Sequence, residues 1–423
     1  MQSIIKHPAI RSFLVYLAAT QLNDPLSLSV GGIPVTPVDF AIIYGILINI
    51  IYRSPVVSKR LNIFFLFAFV LLIYSIAGFL QKDEVLIYPA SLFLNLLWIY
   101  FTASSIMNKP LEMVAYKEVF KIIFLLLIPN IFFGFYELVT RKYFFPEGLS
   151  GAMANGISPD VFYVRGSFTD KFDFSSYMIL GPLMYLSLFA NGIKLKLLYR
   201  IIALLSLVLV LFSYSSSVII ALVIIILYTF IFQVTIKKSV VLIMVGTAIL
   251  IAGSIFFSQS FLLSNQLTSY QLKYQRQVEE REDFNFRWIA FNTGIKKFIE
   301  NPVLGYGMDN GKYIIFNYSK VNLVKPVNSH NYLINNLLDY GLIGFIPITI
   351  GIFNLFKFFK GIKKTGSSVK AVGDFIMLLF LFHLITLQTY YQQFDRSMYF
   401  VLMFLIFFYT SQKLTYERIN SGS

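Results

Sequence analysis

The sequence predicts an all-α polytopic membrane protein of about twelve transmembrane helices, with a large extracytoplasmic loop between the ninth and tenth. Three observations carry this. With 57% apolar and 13% charged residues and a mean hydropathy of +0.71, the chain is excluded from the ordinary soluble domains. Its apolar segments recur at roughly the length needed to cross a ~30 Å hydrocarbon core. Its lysines and arginines crowd into alternate connectors, which fixes an orientation.

In chain order the segments fall near 10–22, 38–52, 62–80, 86–105, 119–138, 174–191, 198–213, 216–234, 239–258, 332–356, 372–390 and 397–411. The first two are short, and the Pro-rich connector Gly31 to Pro37 separates them. Residues 1–423 read as one integral membrane domain with two long loops, 139–173 and 259–331. Met1 to Arg11 reads as a short basic tail without the pattern of a cleavable signal.

The net charge of +14 would suit a nucleic-acid partner if it lay on one surface, but its placement argues otherwise. Lys6, Arg11, Arg53, Lys59, Arg60, Lys194, Lys196, Arg200, Lys237, Lys238, Lys357, Lys360, Lys363, Lys364 and Lys413 fall on one side. The short connectors of the other side are nearly free of such charge: 81–85 has only Lys82 and 391–396 only Arg396. Both termini are expected to be cytoplasmic, both long loops to face outward, and no nucleic acid to bind. Halves with different loop lengths and no internal repeat speak against an inverted-repeat transporter.

There is no cysteine, hence no disulfide or thiolate metal site. His7, His330 and His383 are too scattered for a zinc-type cluster, so no metal and no cofactor is expected. In 259–331 the apolar residues Trp288, Phe291, Ile295, Phe298 and Ile299 follow helical spacing. This predicts an amphipathic helix across the outer face, ended by Asn301-Pro302. Arg287 lies in its first turn, either as a ligand for an anion or as a snorkelling cation beside an interfacial Trp. Gly305-Tyr306-Gly307 predicts a tight turn, not a nucleotide loop. Asn328 and Ser329 are candidate N-caps that would put His330 in the first turn of the next span. There the helix dipole favours neutral, proton-accepting imidazole and also an anion. Gly341 and Gly344 suggest a helix-packing face, and Asp339 inside the span is an ionisable group in an expensive place.

In the other long loop, Arg165 within Val164-Arg165-Gly166-Ser167-Phe168 is expected as a second outward-facing guanidinium. Guanidinium forks suit phosphate without a metal, so two arginines and a histidine above a membrane scaffold suggest a site for an anionic lipid headgroup such as a pyrophosphate. The aromatic, amide-rich connector Tyr390 to Arg396 suits sugar faces or an interfacial belt.

The ordered set Arg287-Trp288, Asn301-Pro302-Val303-Leu304-Gly305-Tyr306-Gly307, then His330-Asn331 with Gly341 and Gly344, resembles the O-antigen ligase/polymerase superfamily. The long loop between the ninth and tenth spans and the Arg165-Gly166-Ser167-Phe168 element resemble it too. The resemblance implies a GT-C-type membrane glycosyltransferase on the outer face of the bacterial inner membrane, working without metal. It would move an undecaprenyl-pyrophosphate-linked oligosaccharide to a sugar hydroxyl of an acceptor. His330 would act on that hydroxyl, Arg287 and Arg165 would hold the pyrophosphate, and Asn331, Tyr306 and Trp288 would contact substrate. Many members carry a Ser-Arg pair where this chain has Ser213-Tyr214-Ser215-Ser216-Ser217, so Arg165 is left to supply the charge.

A repeat-unit polymerase of O-antigen or capsule is the leading expectation. A ligase that passes the finished chain to a lipid A-core or protein acceptor shares the same motifs. A flippase for the lipid-linked oligosaccharide would need charges through several spans, and these are few. Membrane lipids, a chain-length regulator and a flippase are the partners the family implies.

Overall fold

The computed structural model describes residues 7–21, 28–30, 33–52, 87–108, 115–140, 142–145, 164–168, 171–213, 215–232, 282–307, 310–318, 331–362, 367–387, 405–406 and 408–411. The expected segments 62–80 and 239–258, the connector 390–396 and His330 lie outside these residues.

The described residues are helical almost throughout. The helices are α1 (Pro8–Gln21), α2 (Pro37–Ile51), α3 (Ile87–Asn108), α4 (Ala115–Thr140), α5 (Lys171–Met178), α6 (Leu180–Ala190), α7 (Leu197–Phe212) and α8 (Ser216–Phe232). They continue as α9 (Glu282–Glu300), α10 (Gly311–Tyr318), α11 (Tyr332–Ile362) and α12 (Ser367–Leu387). One departure from the all-α expectation is a two-stranded hairpin, β1 (Leu28–Val30) pairing antiparallel with β2 (Ile33–Val35). It occupies the Gly- and Pro-rich connector, whose composition disfavours helix. Thr36 then opens α2 with a capping box, Thr36 and Asp39 satisfying each other ahead of Pro37.

Among the described residues two helices, Tyr116–Thr140 and Val369–Thr386, are long and apolar enough to cross a membrane. Five more, Pro37–Ile51, Phe93–Ile106, Leu197–Phe212, Ser217–Ile231 and Leu333–Ile346, are apolar but shorter. Two prolines each remove one hydrogen bond from the helical ladder. Pro129 inside α4 has no amide for the carbonyl one turn back, and Pro182 has the same effect near the break between α5 and α6 at Ile179.

Burial separates two environments. On α8 the side chains of Ile220, Val223, Ile224, Leu227 and Ile231 face outward at helical spacing, while Val218, Ala221, Leu222 and Ile225 face in. Leu197, Ile201, Leu204 and Leu211 make a similar exposed stripe on α7. Inside lie Asn49, Asn95, Asn130, Glu137 and Asp374 among the apolar core. An apolar exterior over an interior that holds hydrogen-bonded polar groups is the arrangement a lipid solvent selects.

The main core gathers α1, α4 to α8 and α12 around Phe124, Phe174, Leu183, Leu209, Phe375 and Phe382. A second cluster joins α1, α2 and α3, where Trp98 stacks on Tyr16 with ring centroids 4.4 Å apart. A third, smaller cluster packs α9 and α10 on the beginning of α11.

Candidate functional site

The third cluster is built around a broken helix. Gly341 leaves the helical region at φ 57°, ψ −163°, so the bonds that Leu342 and Ile343 would make to Leu338 and Asp339 are lost. The loop 302–307 replaces them. The amides of Tyr306 and Gly307 donate to the carbonyls of Leu338 (2.6 Å) and Asp339 (2.9 Å). In return the amides of Leu342 and Ile343 donate to the carbonyls of Pro302 (2.8 Å) and Val303 (3.2 Å). Four backbone groups stranded by the break are thus satisfied by one clasp. Glycine is required on both sides of it: a Cβ on Gly305 (φ 66°) would lie 2.5 Å from the Gly341 nitrogen, and one on Gly341 would meet Val303.

The expectation that Gly341 and Gly344 form a helix-packing face is therefore corrected. Gly341 approaches the loop backbone, and a Cβ on Gly344 would meet Tyr340 of its own helix. Both glycines of the expected tight turn Gly305-Tyr306-Gly307 take positive φ, but the hydrogen-bonded turn lies just before them, at 302–304, closed by the Gly305 amide on the Asn301 carbonyl.

The amphipathic helix is present as α9. Its face of Ala290, Phe291, Gly294, Ile295 and Phe298 packs on Ile334 and Leu338 of α11. Trp288 and Ile299 stay outside, 57% and 67% exposed, and Trp288 stacks on Phe291. Tyr306 packs against the same cluster and its hydroxyl donates to the Lys297 carbonyl at 2.9 Å. Burial pushes its phenol pKa up, which keeps it a donor.

Asp339, singled out in the sequence as a costly ionisable group, has a structural role. Its Oδ1 accepts the Gly311 amide at 2.7 Å, anchoring the start of α10. Asn310 completes that junction by donating to the Tyr306 carbonyl at 2.7 Å. The cap of α11 also differs from expectation. It is Asn331, whose side chain accepts the Ile334 amide at 3.1 Å, in place of Asn328 or Ser329. The helix accordingly starts at Tyr332, after the position that His330 was expected to share with its first turn. The Arg287 backbone belongs to the first half of α9.

Arg165 sits in a different setting. It was expected to be outward-facing, yet it is 3% exposed. The cause is Glu137 near the end of α4, a buried carboxylate with no counterpart in the sequence reading. Its Oε2 accepts the amides of Arg165 and Gly166, each at 2.9 Å, and its Oε1 accepts that of Phe144 at 3.2 Å. Asn130, one face-repeat earlier on α4, accepts both the amide and hydroxyl of Ser167 and donates to Gln21 of α1. The turn at Gly166 (φ 56°) is so close to Asn130 and Phe174 that a Cβ would lie 2.6 Å from the former. Held this way, the Arg165 guanidinium lies over the Tyr143 ring at 4.1 Å and donates to the Phe145 carbonyl at 2.8 Å.

Trp288, Tyr306 and Asn331 are thus brought into or beside one cluster, on α9, the clasp and the start of α11. The Arg165 turn belongs to the main core through Val164 and Phe168. It docks on the end of α7, where the Val164 amide donates to the Phe212 carbonyl at 3.3 Å, directly before Ser213. Glu137 and Asn130 went unread because a single Glu and Asn in an apolar helix carry no spacing signal. Only the fold shows which loop amides they meet.

No curated protein matches the chain. Residues 201–349 match the family model described as O-Antigen ligase. That segment runs from within α7 to within α11 and takes in α9, the clasp and the Asn331 cap. This match, over about a third of the chain, supports its likeness to the O-antigen ligase/polymerase superfamily, whose members are membrane glycosyltransferase-like enzymes acting on lipid-linked polysaccharide.

Proposed function

We propose that the protein is a surface-polysaccharide polymerase of about twelve spans, a metal-independent glycosyltransferase of GT-C architecture in the bacterial inner membrane. Both termini face the cytoplasm in this reading and the long loops 139–173 and 259–331 face outward. The observation that carries the site is the clasp, because it holds the helix bearing Arg287 and Trp288, the Tyr306 turn and the Asn331-capped helix start as one unit. His330 directly precedes that cap.

The donor is an oligosaccharide on undecaprenyl pyrophosphate, and the acceptor a sugar hydroxyl of a second lipid-linked repeat unit. The acceptor oxygen attacks the anomeric carbon as the bond from that carbon to the pyrophosphate oxygen breaks. Undecaprenyl pyrophosphate leaves with the electron pair. His330 takes the hydroxyl proton, or holds the hydroxyl in line, as a neutral imidazole can. Arg287 and Arg165 bind the pyrophosphate and stabilise the charge that grows on it, so electrostatics takes the part a metal plays elsewhere. Docking of the Arg165 turn beside Ser213–Ser217 supports Arg165 as the substitute for the arginine that many relatives carry there. Asn331, Tyr306 and Trp288 line the acceptor side. A chain-length regulator and a flippase are the expected partners in the membrane.

The ligase reading draws on the description of the matching family model, whereas nothing in that match favours a flippase. One experiment separates them: surface-polysaccharide length on gels, in a deletion strain complemented with wild type, His330→Ala, Arg287→Ala or Arg165→Ala at equal expression. The polymerase reading expects a single capped repeat unit in the deletion and no ladder with the His330 and Arg287 variants. Long chains retained on the lipid carrier would mean a ligase. Full rescue by all three variants would overturn the site.

A further inference from the structure

The clasp has an exposed side that the proposed reaction does not use. Val303 and its bonding partner Ile343 are both 53% exposed, and Leu304 and Ile299 are open beside them. On α11 beyond the break, Leu342, Ile343, Ile346 and Ile350 are exposed as well. We propose that the edge formed by Ile299, Val303 and Leu304 is immersed in the acyl chains of the bilayer, as a continuation of the lipid-facing stripe of α11.

Continuity is the first reason. Val303 is hydrogen-bonded directly to a residue of that stripe, so no step in depth separates the two. Backbone satisfaction is the second. Non-helical backbone is tolerated at membrane depth only where its polar groups are paired. Here most of the backbone is paired: the carbonyls of Asn301, Pro302, Val303 and Gly305 accept hydrogen bonds, the amides of Asn301, Gly305, Tyr306 and Gly307 donate, and Pro302 has no amide to satisfy. Charge is the third. Residues 301–307 carry none, while Lys297 and Glu300 pair at 2.7 Å beside them and Lys297 lies 3.7 Å over the Tyr318 ring. An apolar edge bounded by exposed Trp288, Tyr318 and a paired lysine has the make-up of a membrane–water boundary.

The absence of cysteine makes the test direct. Spin labels are placed at Ile299→Cys, Val303→Cys and Leu304→Cys in the full chain in nanodiscs, and their collision rates with oxygen and a water-soluble nickel chelate are compared. Ile346→Cys is the lipid reference, and Lys296→Cys, on the exposed polar edge of α9, the aqueous one. The expected result is an oxygen-to-nickel ratio near that of position 346 and several-fold above that of 296. A ratio like that of 296 overturns the proposal by putting the edge in water. Low collision with both reagents overturns it by showing protein cover. Three positions guard against a single variant that misfolds, and none has a role in the proposed chemistry.

Discussion

At Glu137 one carboxylate decides where an arginine goes. Its oxygens hold the amides of Phe144, Arg165 and Gly166, and the Arg165 side chain is then delivered onto Tyr143. Glutamine at this position keeps one carbonyl oxygen but turns an NH₂ group against backbone donors. Glu137→Gln is therefore expected to cost about 1–3 kcal/mol, the order for a buried group left unsatisfied, seen as a lower Tm in detergent. An unchanged Tm would mean that the loop is held by other contacts. The turn beside Arg165 was legible in the sequence from Gly166. The burial of Arg165 was not, because burial depends on a partner 28 residues away on another element.

At the scale of the element, α11 shows what a hydropathy pattern leaves out. Its length and apolar character were legible, and so was the glycine-rich loop, each as a separate feature. Their mutual repair was not, since a helix break becomes tolerable only when something nearby accepts and donates in its place. Gly341→Ala tests this. The left-handed φ alone costs a side chain on the order of 1–3 kcal/mol, and the new Cβ would also strike Val303. The expected outcome is a lower Tm together with faster hydrogen exchange at the Tyr306 and Gly307 amides, which the clasp otherwise protects. Loss of Tm without faster exchange there would show that α11 straightens and the loop finds other partners. The Asn331 cap teaches the same lesson: Asn328, Ser329 and Asn331 are all competent cap residues, and the described contacts select the last.

For the whole molecule the exposed stripes of α7 and α8 and the polar interior agree with a lipid solvent. Asn191 bonds Asp374 at 2.8 Å, joining the end of α6 to the start of α12, and Val164 meets Phe212 at the end of α7. Single cysteines at Lys194 and Lys363 are expected to stay unlabelled by an impermeant maleimide in intact spheroplasts and to react after permeabilisation. A cysteine at Lys142 is expected to react without it. Labelling of Lys194→Cys in intact spheroplasts would invert the orientation and move the proposed site to the cytoplasmic face.

Composition, the period of the apolar residues and the placement of lysine and arginine were enough to determine a helical membrane protein. The ordered motifs from Arg287 to Gly344 pointed to the superfamily whose family model matches residues 201–349. These are local or additive properties, so they survive without knowledge of contacts. Only the tertiary structure decided that Gly341 breaks its helix, that Asp339 anchors α10 and that Glu137 draws Arg165 into the core. Each of these pairs a backbone group with a partner remote in sequence, and such pairing is chosen by the packed chain as a whole.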